Sequence, residues 1–370
     1  LKKLFIAVAA LFGVLALQGC SRADLTVFLP NEFWNPDVIE QFNRENNVRV
    51  VMQPFDSNER MLELVQGGSH FDIIVPSDYA IEELAAGGFI KALDWSRITT
   101  PMSGQWANQL EAYIETFRTQ TNPYTNTTFD ILQYGAPYSW GTVGIIYNNT
   151  NPDVVRRVHE EGFGVFNSNL RTVIYNSSRC SMMAALLATH PGQHLYTASQ
   201  QQIIDAGNWL NEALRQPNTQ RISDEIFEEA ADITPNFDAI IAYSGCASII
   251  IRWNPNYSFF NPDYTNVWID AFTIMDDERT DVDLAYKFIS FMLTYQAALD
   301  FHADDFLLYT GMREDVVQTM VTRFRNNEDN TLYDRIIKSF LPQTNNPQFF
   351  RFDNNRRDWI ATAWVAAIAG

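Results

Sequence analysis

Between Leu25 and Gly88 the chain alternates between two hydrophobic periods, and this limits the fold more than any other feature. "LTVFL" reads as a strand, and in "NPDVIEQFNREN" Val38, Ile39 and Phe42 recur at helical spacing. "VRVVMQPF" is strand-like again. "DSNERMLELVQGG" predicts a helix opened by a capping-box-like pair, Asp56 and Glu59, and closed by Gly67–Gly68. "FDIIVPSD" predicts a third strand and "YAIEELAAGG" a third helix. Strands and helices in strict alternation define an α/β fold, a parallel sheet covered by helices on both faces. In such sheets ligands lie beyond the strand C-termini, beside helix N-termini, which nominates Asn31–Trp34 and Ser77–Tyr79 as site segments.

A polar stretch, "TQTNPYTNTTFD", separates this region from "YGAPYSWGTVGIIYNNT", where Gly141 and Gly144 suit a strand that bends between lobes. A second alternating region covers about 165 to 253. It holds "RTVIYNSSRCSMMAALLA" (strand, turn, helix), the helix "QQIIDAGNWLNEALRQ", and "FDAIIAYSGCASIII" (strand, turn, apolar segment). "DVDLAYKFISFMLTYQAAL" predicts one amphipathic helix with Leu284, Phe288, Phe291 and Met292 on its core face. The chain exceeds the usual size of a single core, so two lobes are expected.

The first twenty residues read as an export signal: Lys2 and Lys3 precede an apolar run, Leu4 to Leu17, too short to span a bilayer comfortably. The run closes on Leu17-Gln18-Gly19-Cys20, which resembles a bacterial lipobox with Gln18 where a small residue is usual. Residues 1–20 are therefore expected to be a lipoprotein signal, with Cys20 lipidated and anchoring the chain to a membrane. A plain secretory signal or an uncleaved anchor are the alternatives. The closing "WIATAWVAAIAG" reads as a packed helix rather than a span. Net charge is −18, and −20 once Lys2 and Lys3 are removed, which repels phosphate backbones and argues against nucleic-acid binding. His190 and His194 have ligand-like spacing, but Pro191 breaks the helix that would align them, so no metal is expected.

"NVWIDAF", 266–272, sets a carboxylate inside a strand. Alternation places Trp268, Asp270 and Phe272 on one face and Val267, Ile269 and Ala271 on the other. An unpaired carboxylate there is costly, so either a protein cation or a ligand must answer it.

"NEFWNPDVIEQF", "FDSNERM", "FDIIVPSDYAIEELAAGGFI", "APYSWGTVGIIYN" and "VWIDAF" occur in the order and spacing of the spermidine/putrescine-binding proteins of bacterial ABC importers. The likeness covers nearly the whole chain after Cys20 and thins beyond about residue 310. The resemblance implies a two-lobed periplasmic-binding-protein fold, each lobe a central sheet flanked by helices, joined by crossover strands. It implies one lobe at 24–137 and 268–310 and the other at 138–267 and 311–370. It implies no cofactor and no catalysis. The partners implied are a polyamine or related small cationic amine and the permease subunits of an ABC importer in the inner membrane. A monomer, exported and lipid-anchored on the periplasmic or cell-surface side, is expected.

A polyamine needs carboxylates for its ammonium groups and flat apolar walls for its methylenes. Carried over by position, the resemblance nominates Glu32, Phe33 (where tyrosine is usual), Ser77, Asp78, Tyr79, Tyr243 (where tryptophan is usual), Trp268 and Asp270. For each a structural role is the alternative: Glu32 as a loop acid, Ser77 as a helix cap, Tyr79 and Tyr243 as packing. Departures cluster in the second lobe. Ser177 and Cys180 stand where members often carry acids, and Cys246 stands where some carry aspartate. With Glu32 and Asp270 as the remaining acids, the resemblance implies putrescine ahead of spermidine, or a different amine or amino acid. It also implies that Cys180 and Cys246 lie close enough for a disulfide. No G-x-S-x-G, H-E-x-x-H or glycine-rich phosphate motif supports an enzyme. A surface lipoprotein acting as sensor or adhesin is the remaining alternative.

Overall fold

A computed structural model describes residues 23–30, 34–222, 237–303, 310–325 and 330–369. Cys20, Glu32 and Phe33 lie outside the described residues.

The first alternating region forms β1 (Leu25–Pro30), α1 (Pro36–Asn46), β2 (Val50–Phe55), α2 (Asn58–Gln66), β3 (Ile73–Ile74) and α3 (Asp78–Ala86). α4 (Asn108–Thr119) precedes the long strand β4 (Ala136–Asn148). The second region supplies α5 (Pro152–Glu161), β5 (Thr172–Tyr175), α6 (Ser178–Thr189), α7 (Gln200–Leu214), β6 (Thr219–Ile222), β7 (Ala239–Tyr243) and α8 (Ser244–Trp253). Then come β8 (Tyr257–Phe260), β9 (Tyr264–Ile274), α9 (Val282–Met292), α10 (Tyr295–Ala303), β10 (Thr310–Gly311), α11 (Glu314–Arg325), α12 (Asn330–Phe340), β11 (Asn346–Gln348) and α13 (Asn354–Ala369).

The sheet runs β2-β1-β3-β9-β4-β7-β5-β6. β1 pairs parallel with β2 and β3 at one end, and β5 pairs parallel with β6 and β7 at the other. Between them β9 and β4 pair antiparallel, with Ser139 opposite Asp270 and Gly141 opposite Trp268. The sheet is thus mixed. Two parallel halves, one per lobe, are joined through a central antiparallel pair whose strands serve both.

Local sequence explains most element ends. Asn35 caps α1 by accepting from the Asp37 amide at 2.9 Å, with Pro36 preset for the first turn. The cap of α2 is Ser57, which accepts from the Arg60 amide, rather than the expected Asp56. Gly68 and Gly88 follow α2 and α3 with φ of 89° and 71°, a conformation that favours glycine. "DVDLAYKFISFMLTYQAAL" forms two helices, not one, broken at Leu293–Thr294. Phe288 and Met292 are buried as expected, while Leu284 and Phe291 are only partly so. α1 packs on α9 through Phe42, whose ring meets Phe288 edge-on at 5.2 Å. α13 packs on α7, where a side chain at Gly207 would meet Ala363 at 3.1 Å. No described helix is long and apolar enough to cross a membrane.

Candidate functional site

Four strand-to-helix turns converge on one cavity of about 350 Å³ between the two halves of the sheet. The turn after β2 contributes 55–59, that after β3 contributes 77–79, that after β5 contributes 175–180, and that after β7 brings Tyr243 and Cys246. This is where the alternation rule puts a ligand. β9 crosses the cavity and supplies Trp268 and Asp270.

Asp270 is 4% exposed, and burial pushes its carboxyl up to about pH 7, a rise that a hydrogen bond from Ser77 only partly offsets. Ser77 stands at the N-cap position of α3, yet its hydroxyl makes no cap bond. It donates to Asp270 Oδ1 at 2.7 Å and accepts from Asn58 Nδ2 at 2.9 Å, while its amide donates to Asn58 Oδ1. The expected helix cap is thus diverted to hold the Asp270 carboxyl. Among the described residues no lysine or arginine pairs with Asp270.

Beside it, Trp268 is 8% exposed and its indole Nε1 is buried with no hydrogen-bond partner among the described residues. The ring meets Tyr243 edge-on at 5.9 Å, and Tyr243 meets Tyr175 at 5.3 Å. Gly141 on β4 makes room for the indole, since a Cβ there would lie 2.7 Å from Trp268 Cζ2. An orphaned N–H, three rings and a carboxylate with no cation beside it among the described residues make a polar-tipped, apolar-walled pocket of the kind small ligands occupy.

Asp78 lines the cavity but its oxygens are engaged by backbone: Oδ1 accepts from the Tyr79 amide at 2.7 Å and Oδ2 from the Ile269 amide at 3.2 Å. It clips α3 to β9. Burial, with the neighbouring Asp270 charge adding to it, raises its carboxyl well above the usual range.

Tyr79 donates to Glu59 Oε1 at 3.1 Å and lies under the Arg179 guanidinium, 3.9 Å from ring centre to carbon. Arg179 Nε donates to the same Glu59 oxygen at 2.6 Å. Burial pushes the Glu59 carboxyl up, but the Arg179 charge and hydrogen bond outweigh it and hold the group below its ordinary value. Sequence reading missed this pair. Glu59 reads locally as a capping residue, and Arg179 sits between Ser177 and Cys180 with nothing local to mark it.

On the second lobe's wall Ser177 is the N-cap of α6, accepting from the Cys180 amide, so its hydroxyl oxygen is committed to the helix. Cys180 and Cys246 are buried thiols, not the halves of a disulfide, which corrects the expected bridge. The Cys180 sulfur lies 3.2 Å from the Tyr243 hydroxyl. His190 Nδ1 contacts the Thr189 hydroxyl, and His194 accepts from the Tyr196 amide.

The fold is that of a two-lobed binding protein, with the cavity lying between the two halves of its sheet. Residues 37–323 match the family of bacterial extracellular solute-binding proteins, and the chain belongs to that family, whose members bind solutes rather than catalyse. The putrescine-binding periplasmic protein SpuD of Pseudomonas aeruginosa is 29% identical over 140 residues, 38% of this chain and 34% of that one. The chain therefore spans about a third of the length of the curated relatives it matches. Two solved structures share the fold along almost their whole length. The spermidine/putrescine substrate-binding protein PotD of Streptococcus pneumoniae superposes with a TM-score of 0.65 at 22% identity, over 93% of this chain and 98% of that one. The Tp0655 (TpPotD) lipoprotein of Treponema pallidum does so with a TM-score of 0.67 at 19% identity and the same coverage.

Proposed function

We propose that this protein is the extracytoplasmic receptor of an ABC importer. It captures a small aliphatic amine of low charge between its lobes and delivers it to a membrane permease. One observation carries the reading: Asp270 is buried in an aromatic-walled cavity with a hydroxyl, and no protein cation among the described residues, to answer it. Burying an unpaired carboxylate costs several kcal/mol, roughly the range a ligand ammonium would recover. Trp268 and Tyr243 line the same cavity and supply aromatic wall for the ligand's methylenes and its charge.

The putrescine-binding relative named above lends support, and a single uncompensated acid among the described residues favours an amine of low charge, putrescine ahead of spermidine in this reading. Lobes at 24–137 with 268–310, and at 138–267 with 311–370, would close about the β4–β9 crossing in a hinge motion. The leader ending at Cys20 fits lipid anchoring on the outer side of a membrane, with the receptor acting as a monomer. Titration calorimetry against putrescine, spermidine and an amino-acid panel tests the reading. Heat with putrescine that Asp270→Asn abolishes supports it, and no heat with any amine overturns it.

A further inference from the structure

Glu59 and Tyr79 meet an arginine of the protein in the cleft. Arg179 Nε donates to Glu59 Oε1 at 2.6 Å, and the Tyr79 hydroxyl donates to that same oxygen at 3.1 Å. The guanidinium lies 3.9 Å over the Tyr79 ring, with the Tyr196 and Phe350 rings at 5.9 and 6.0 Å. A carboxylate oxygen framed by ring faces is the environment an alkylammonium requires.

Arg179 is 6% exposed, and its Nη1 is buried with no hydrogen-bond partner among the described residues. It is held by rings and a carboxylate rather than by a full set of acceptors, which is weak support for so large a buried donor. Glu59 and Tyr79 stand at the starts of α2 and α3 in the first half of the sheet. Arg179 arrives from α6 in the second half, 120 residues away from Glu59 in sequence. The pair therefore bridges the walls of the same cavity that Asp270 faces.

We propose that Arg179 is a specificity-determining residue. It occupies from within the place that one additional ligand ammonium would take, so the cleft selects ligands with one charge fewer than its acids could otherwise hold. The proposal rests on Asp270 being the ligand's counter-ion.

Calorimetry with butylamine, putrescine and spermidine on the full chain tests it. In the wild type, each added ammonium should gain little, with putrescine within about tenfold of butylamine, because the ring-framed acid is already neutralised. In Arg179→Met the preference for the more highly charged amine of each pair should rise by about tenfold or more, as Glu59 becomes free to accept an ammonium. Glu59→Gln added to that variant should abolish the gain, and Arg179→Lys, which keeps a cation in place, should retain the wild-type preference. A folded Arg179→Met protein with unchanged preference overturns the proposal. So does a wild type that binds putrescine more than about a hundredfold tighter than butylamine, a result needing no variant. If Asp270→Asn abolishes amine binding while Arg179→Met leaves preference unchanged, the amine reading stands and this inference falls. If the wild type binds no amine, both fall.

Discussion

Asp270 and Glu59 line the same cavity, yet the protein treats them differently. Glu59 is answered across the cleft by Arg179, and α3 repeats the pattern. Glu82 takes a two-point ion pair from Arg351 at 2.9 Å, and Glu83 one from Arg357 at 2.7 Å. Each of these arginines comes from later in the chain and ties α2 or α3 to the elements facing it. Asp270 receives a serine hydroxyl and nothing charged among the described residues. The contrast separates holding from binding. Acids with a guanidinium join the walls, whereas the acid that keeps its desolvation cost is the one a ligand can relieve.

Replacing Asp270 should break the comparison most completely. Asp270→Asn is expected to weaken amine binding by about 2–5 kcal/mol, because a buried charge is left without its partner. Calorimetry reads this directly. The same substitution should stabilise the unliganded protein above neutral pH. A carboxyl raised to about 7 contributes stability that is present below its unfolded pKa and lost as pH rises through the folded one. Thermal unfolding at pH 8 without amine should therefore favour the variant, and a lower melting temperature there would contradict the burial argument.

Next in size is pH. Binding needs the Asp270 carboxylate, so affinity should fall by about tenfold per pH unit below 7. The charged groups sharing this cavity from neighbouring elements are Asp56 in the turn before α2, Glu59 on α2, Asp78 on α3 and Arg179 on α6. Asp78 is raised and Glu59 lowered, so the Glu59–Arg179 pair should stay ionised over the range in which Asp270 titrates. Affinity independent of pH from 5 to 8 would remove Asp270 as the counter-ion.

Ser77→Ala should have a smaller effect, about 1–2 kcal/mol in amine affinity, by deleting the hydrogen bond that favours the ionised form. It should also shift the pH midpoint of binding upward, which a loss of packing alone would not do. Trp268→Phe, removing the orphaned N–H but keeping a ring, is expected to change affinity by about 1 kcal/mol or less.

The fold was legible because its signals are local. Helical spacing in Val38, Ile39 and Phe42, and alternation through "NVWIDAF", need no knowledge of distant residues. The rule placing ligands beyond strand ends was equally local and nominated Ser77–Tyr79 after β3, which lines the cavity; it did not point to the turn after β2, and the residues after β5 and β7 were nominated through the resemblance alone. What alternation could not show was the antiparallel β9–β4 pair, since the partners are more than 120 residues apart in sequence. Within the site, Asp270 announced itself as a charge inside an apolar strand. Arg179 did not, because the second residue of a helix is an ordinary place for a solvated arginine, and only the tertiary approach of α2 gives it meaning. Cys180 and Cys246 line one cavity, but proximity to a common space is a weaker condition than disulfide geometry.

Proton release on binding tests the central claim most directly. Putrescine titrated at pH 7 in two buffers of different ionisation enthalpy gives the number of protons exchanged. An ammonium seated on Asp270 should expel about half a proton per ligand bound, because the carboxyl starts near half-protonated and ends ionised. Binding with no proton release would mean that the amine rests elsewhere.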